Sequence, residues 1–172
     1  MVDATLDMDA VKKLALELFA NAIEDLNAGR QREGIELAAL ITQRLDAIST
    51  VVADVREKMP LILQGQRELL LTRVADLQLE IDPVRIEQEI ALLAQKADVA
   101  EEMDRLDTHV QEVRRILKQK GAIGRRLDFL MQELNREANT LSSKAIVVET
   151  TNSAVELKVL IEQMREQIQN IE

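Results

Sequence analysis

The stretch AALITQRLDAISTVVADVREKM, residues 38–59, decides the fold. Its apolar positions Ala38, Ile41, Leu45, Ile48, Val52, Val55 and Met59 follow alternating steps of 3 and 4. That is the heptad spacing of a helix that buries one continuous stripe. Such a stripe wants a partner helix along its whole length. The same period extends outward in both directions. Upstream, residues 9–27 place Ala15, Leu18, Phe19, Ala22 and Leu26 on one face, and Asn27-Ala28-Gly29 reads as a stop with Gly29 as a left-handed cap. Downstream, Pro60 suits the first position of a new helix, one carrying Leu70, Val74, Leu77 and Ile81 to about residue 80. Asp82-Pro83 is a second start signal, an acidic N-cap followed by proline. From it a long helix is predicted over 83–120. Its first stripe is Ile86, Ile90, Leu93, Ala97 and Ala100; a rotated face continues through Met103, Leu106, Val110, Val113 and Leu117 to an end at Gly121 and Gly124. A fifth helix covers 125–141. The last begins between Ser142 and Ser153, where Ser153 and Glu156 have capping-box spacing, and carries Leu157, Leu160, Ile161, Met164 and Ile168.

The expectation is an all-α protein of about six helices, two of them long, built as extended hairpins with coiled-coil-like packing. Residues 1–80 read as a helical arm and 81–172 as a C-terminal helical domain. Composition agrees. Of 172 residues 47% are hydrophobic, yet only Phe19 and Phe129 are aromatic, so the core is aliphatic and the strand-favouring residues are scarce. With no cysteine, disulfides, thiolate metal sites and cysteine nucleophiles are excluded. The apolar run Ile90-Ala91-Leu92-Leu93-Ala94 is far short of the roughly 20 residues that cross a membrane. Asp3, Asp7 and Asp9 stand where a basic signal region would. These features fit a cytoplasmic protein.

Charge is unevenly distributed. Residues 114–126 hold six cations (Arg114, Arg115, Lys118, Lys120, Arg125, Arg126) and no acid, so the remainder of the chain carries −15 against a total of −9. Part of this is the ordinary preference for cations at a helix C-terminus; the rest is a candidate polyanion site. With Phe129 the one nearby aromatic, contact with a nucleic acid would be mainly through phosphates. Asp98, Glu102, Arg105 and His109 follow at steps of 4, 3 and 4, one line on one helix face. Carboxylate, carboxylate, guanidinium and imidazole are the materials of acid–base or metal chemistry, and equally of surface salt bridges. His109 is the only histidine, so a two-imidazole mechanism within one chain is excluded. The fifth helix is polar on several faces, with Asp128, Gln132, Glu133, Asn135, Arg136, Glu137, Asn139 and Thr140, and Lys144 beyond. Glu133 and Glu137 lie one turn apart, a spacing that would let oxygen ligands share a hard cation. Arg136 suits a phosphate.

These residues carry a family resemblance. Gly124-Arg125-Arg126-Leu127-Asp128-Phe129-Leu130, Gln132-Glu133, Asn135-Arg136-Glu137, Asn139-Thr140 and Ser143-Lys144 resemble the signature of the bacterial YicC/YloC proteins. Arg32-Glu33-Gly34, then Asp98, Glu101-Glu102, Arg105-Leu106 and His109, then Glu156-Leu157-Lys158 and the run from Arg165 to Glu172 extend the match over nearly the whole chain. The resemblance implies a stress-associated endoribonuclease that acts on RNA rather than DNA, uses a divalent cation and assembles as a hexamer. It also implies a strand-containing domain ahead of the part seen here, so the chain is expected to be the C-terminal portion of a longer protein, with activity that depends on the rest.

On this basis Asp98, Glu102, Asp128, Glu133 and Glu137 are expected to hold Mn²⁺ or Mg²⁺. His109, with Glu102, Glu133, Glu137 and Arg136, is expected to carry the chemistry. Arg105, Lys118, Lys120, Arg125, Arg126 and Lys144 are expected to hold RNA phosphates. The competing expectation is a helical oligomerisation and RNA-clamp module, an adaptor without catalysis of its own.

Overall fold

The computed structural model describes residues 7–77 and 82–169. It has five helices: α1 (Met8–Asp76), α2 (Pro83–Lys96), α3 (Ala100–Leu117), α4 (Gly124–Lys144) and α5 (Val148–Gln169). No strand occurs among the described residues. The all-α expectation holds, with five helices in place of six. The predicted helix end near residue 80, Ile81, Asp3 and the family-like residues 170–172 lie outside the described residues.

The difference in number comes from three boundaries. α1 opens on Asp7, whose carboxylate accepts the backbone N–H groups of Asp9 and Ala10 at 3.1 and 3.2 Å. It then runs 69 residues, through Gly29, Gly34 and Pro60. The predicted stop at Gly29 and the predicted break at Pro60 are therefore absent. A glycine costs about 1 kcal/mol in a helix interior, and each residue of an established helix adds a hydrogen bond that offsets it. Pro60 is exposed, while Met59 is buried and Ile62 and Leu63 pack against the core. The apolar stripe thus continues across the proline, and burial on both sides of it offsets the missing N–H and the crowding of its ring against the preceding turn. In the opposite sense, the single helix predicted over 83–120 is two. It breaks at Ala97-Asp98-Val99, where Ala97 and Val99 are buried and the Asp98 carboxylate accepts the N–H of Ala100 at 3.1 Å. The rotated apolar face in the sequence marks this break. At Asp82 the reading holds: its carboxylate accepts the N–H of Val84 at 2.9 Å and Pro83 opens α2. Ser153 is no cap. It lies inside α5, and its hydroxyl donates to the carbonyl of Glu149 at 3.1 Å.

The chain divides into two compact units, Met1–Ala39 and Leu40–Glu172. In the first, the described residues belong to α1 and its cap, and the predicted face of Leu18, Phe19 and Leu26 is exposed. The second holds one aliphatic core. Ile41, Leu45, Ile48, Val52, Val55 and Met59 of α1 meet Met103, Leu106, Val110, Val113 and Ile116 of α3, Leu127, Met131, Leu134, Ala138 and Leu141 of α4, and Ala154, Leu157, Ile161, Met164 and Ile168 of α5. Ion pairs give the directions. Arg56 pairs with Asp104 and Asp107, and Arg114 with Asp46, so this part of α1 runs antiparallel to α3. Arg105 pairs with Glu137 and Arg126 with Glu112, so α3 and α4 are antiparallel. The second unit is a bundle of four core helices, with α2 beside the following part of α1 through Arg67 and Glu87. No helix among the described residues is long and apolar enough to cross a membrane.

Candidate functional site

The antiparallel register of α3 and α4 brings the two polar lines of the sequence onto one seam. Glu102 and Glu137 are buried, at 6% and 3% exposure, in a largely aliphatic interior. A buried carboxylate is stable only when paired, and each has a cation from the opposite helix. Lys144 Nζ donates to Glu102 Oε1 at 2.8 Å. Arg105 Nη1 donates to Glu137 Oε1 at 3.4 Å, and its Nη2 donates to the exposed Glu101 at 2.6 Å. The charge of Glu101, then the hydrogen bond and charge of Glu137, hold the Arg105 guanidinium above its ordinary pKa. Glu102 Oε2 is buried with no hydrogen-bond partner. His109 follows Arg105 by one turn on α3 and is half-buried, so it lies between the Arg105–Glu137 and Glu112–Arg126 levels of the seam.

The remaining predicted residues are placed elsewhere. Asp98 is exposed and caps α3. Asp128 accepts from Gln132 at 2.9 Å and faces Arg165 of α5 at 3.8 Å. Glu133 is half-buried, with Arg136 at 3.8 Å. The structure therefore unites Glu102, Arg105, Glu137 and Lys144, and does not gather Asp98, Asp128 and Glu133 with them. Among the described residues no three Asp, Glu or His side chains are grouped to hold a metal ion. The five carboxylates of one chain do not fit a single cation centre, because each already serves a helix cap, an amide or a cation.

The basic window spans the end of α3, the turn and the start of α4. Gly121 occupies the left-handed region at φ 102°, which lets α3 end and the chain reverse. Three of the six cations, Arg114, Arg115 and Arg126, have carboxylate partners inside the fold. Arg114 pairs with Asp46 at 2.6 Å, and Arg115 grips Glu112 with two hydrogen bonds at 2.6 and 2.7 Å. Those hydrogen bonds, then the charges of Arg115 and Arg126, hold the Glu112 carboxyl below its ordinary pKa. Arg126 also donates to Gln119 at 2.9 Å. Lys118, Lys120 and Arg125 are exposed and have no hydrogen-bond or ion-pair partner among the described residues. The partners that sequence reasoning missed are of two kinds. Glu101 with Arg105 and Glu112 with Arg115 have helical spacing and were legible. Asp46 with Arg114 and Asp128 with Arg165 join separate helices, and no local spacing announces them.

Known proteins resemble this chain in sequence. A family model described as "Endoribonuclease YicC-like, C-terminal" matches residues 55–172, which include every candidate residue from Asp98 to Lys144. A Haemophilus influenzae protein named "Probable endoribonuclease YicC" is 58% identical over 166 residues, covering 96% of this chain and 58% of its own length. A Clostridioides difficile protein of the same name is 34% identical over 169 residues, again covering 96% of this chain and 58% of its own. The chain thus spans 58% of the length of these curated relatives.

Proposed function

Since this chain belongs to the YicC-like endoribonuclease family, we propose that it supplies the phosphodiester-cleaving helical part of a bacterial, cytoplasmic endoribonuclease, with RNA as substrate. The observation that carries the proposal is the α3–α4 seam, where Arg105 and Lys144 are held by Glu137 and Glu102 beside His109. Charge builds on the non-bridging oxygens of a phosphodiester as it is cleaved. Cations fixed in advance by buried carboxylates stabilise that charge without reorganising. The side chains of Arg105 and Lys144 are 53% and 32% exposed, so both reach solvent and an incoming phosphate. In this reading Glu102 and Glu137 position the cations. His109 exchanges the proton of the attacking or leaving oxygen, as imidazoles commonly do. Glu133 and Arg136 flank the seam one turn or less from Glu137, and Lys118, Lys120 and Arg125 hold the strand beyond it. A divalent cation, Mn²⁺ or Mg²⁺, belongs to the proposal through the resemblance, without a ligand set in one chain. So does assembly into a homo-oligomer of six copies.

Labelled structured RNA incubated with the chain, with Mn²⁺ or with chelator, tests the proposal. Discrete chelator-sensitive cuts are expected. His109→Ala should lower their rate by about 100-fold, and Glu137→Gln and Glu133→Gln should lower it too, with helicity by circular dichroism unchanged. Wild-type cleavage by all three variants rejects the site.

A second reading has its own observation. Both buried carboxylates are occupied by ion pairs, and the first unit exposes apolar side chains such as Leu14, Leu18, Phe19 and Leu26. That suits a helical oligomerisation and RNA-clamp adaptor. Salt-sensitive RNA binding without cleavage would favour it, and light scattering tests the assembly separately.

A further inference from the structure

We propose that the groove at the α3–α4 turn is a subsite for single-stranded RNA, in which Phe129 stacks on a base while Arg125 and Arg126 hold the adjoining phosphates. The inference deepens the RNA reading above and rests on it.

The groove encloses about 430 Å³ and is lined by Glu112, Ile116, Arg125, Arg126, Phe129 and Leu130. Ile116 and Leu130 are buried and form an apolar floor. Phe129 is 59% exposed, although its neighbours Leu127, Leu130 and Met131 on α4 all enter the core. It stands off the buried stripe of α4 and offers its ring to solvent beside two guanidinium groups. The polar rim is cationic. Arg125 has no partner among the described residues, nor do Lys118 and Lys120 at the same turn. Glu112 is the one acid in the lining; Arg115 occupies both of its oxygens, and Arg126 lies 3.5 Å from one of them.

An exposed aromatic face beside the unpartnered Arg125, with the partnered but exposed Arg126 next to it, matches the two halves of a nucleotide. A base offers a flat π-face and a phosphate offers charge, and single-strand binders combine these two contacts. Charge selects the occupant: an apolar peptide would leave the cations unanswered, and a duplex would hide its base faces in its own stack. The subsite therefore distinguishes single-stranded from paired RNA close to the seam of Arg105 and His109, using the one phenyl ring in the second unit.

The chain contains no tryptophan, so Phe129→Trp introduces the sole indole as a reporter. The probes are a 12-nucleotide oligoadenylate, the same strand in a duplex, and inorganic polyphosphate. Oligoadenylate is expected to quench the indole in parallel with the rise in anisotropy of labelled strand; polyphosphate and duplex are expected to leave it unquenched. Phe129→Leu keeps the apolar bulk but loses the π-face, and should weaken oligoadenylate binding by about tenfold while leaving polyphosphate binding unchanged. Wild-type affinity for oligoadenylate in Phe129→Leu, or equal quenching by polyphosphate, overturns the subsite while the RNA reading stands. Failure of the unaltered chain to bind any RNA overturns both.

Discussion

Glu102 shows how much of a single side chain's setting can be read in advance and how much cannot. Its place in line with Arg105 and His109 follows from helical period alone. Its burial, and its pairing with Lys144 across 42 residues of sequence, do not. In this fold its carboxylate orders a lysine. Removing one partner of a buried pair leaves the other charge uncompensated, at a cost of about 3–5 kcal/mol when both are buried. The ammonium of Lys144 reaches solvent, so the cost is reduced. Lys144→Ala should lower the unfolding free energy by about 2 kcal/mol, measured by urea denaturation. Adding Glu102→Leu should return most of that loss, because no buried charge then remains. Equal stability of wild type and Lys144→Ala would show the pair to be incidental. Among the cations, Arg115 stands three residues from Glu112, a spacing from which their pair could have been read. The exposure of Phe129 and Arg125 emerged only when α4 was seen to bury the opposite side.

At the scale of the helix, local signals and continuity compete. Gly29, Gly34 and Pro60 are all stop or start signals in isolation, and α1 passes through all three. Gly121 and Gly124 are the same signals, and there the chain does turn. The difference is what lies on either side. α1 has helix formers before and after each interruption. The end of α3 meets a residue at positive φ, and beyond it the chain reverses. Substitution separates the two cases. A Cβ at Gly29 or Gly34 meets nothing within 4 Å, so Gly29→Ala and Gly34→Ala should each stabilise the helix by about 1 kcal/mol. Gly121→Ala also meets no atom, yet the backbone conformation itself should cost about 1 kcal/mol. Circular dichroism melts should move up for the first two and down for the third. A rise for Gly121→Ala would contradict the left-handed turn. The break between α2 and α3 was written in the sequence as a rotation of the apolar face. Reading it as a break required the burial of Ala97 and Val99, which period alone does not supply.

For the whole molecule, the buried core residues run from Ile41 to Ile168 and all belong to the second unit. The stability of that unit should therefore be its own. Deleting residues 1–39 should shift the midpoint of its thermal unfolding by no more than about 2 °C, the equivalent of a fraction of a kcal/mol; a drop of 10 °C would show that the first unit contributes to the core. The sequence by itself determined the helical class, the aliphatic stripes, the caps at Asp82 and Pro83, and the membership of the two polar lines. All of these follow from a period of 3.6 residues and from the conformational preferences of single residues. Only the tertiary structure decided which of those lines meet. The antiparallel register of α3 and α4 brings Lys144 to Glu102 and Arg105 to Glu137, directs Asp128 towards α5, and leaves Phe129 outside. Helical period specifies which side chains share a face of one helix. It carries no information about the level at which a second helix, joined by a reversing turn, comes to rest against it. That level is set by the fit of two aliphatic surfaces, and the charges must pair wherever that fit brings them.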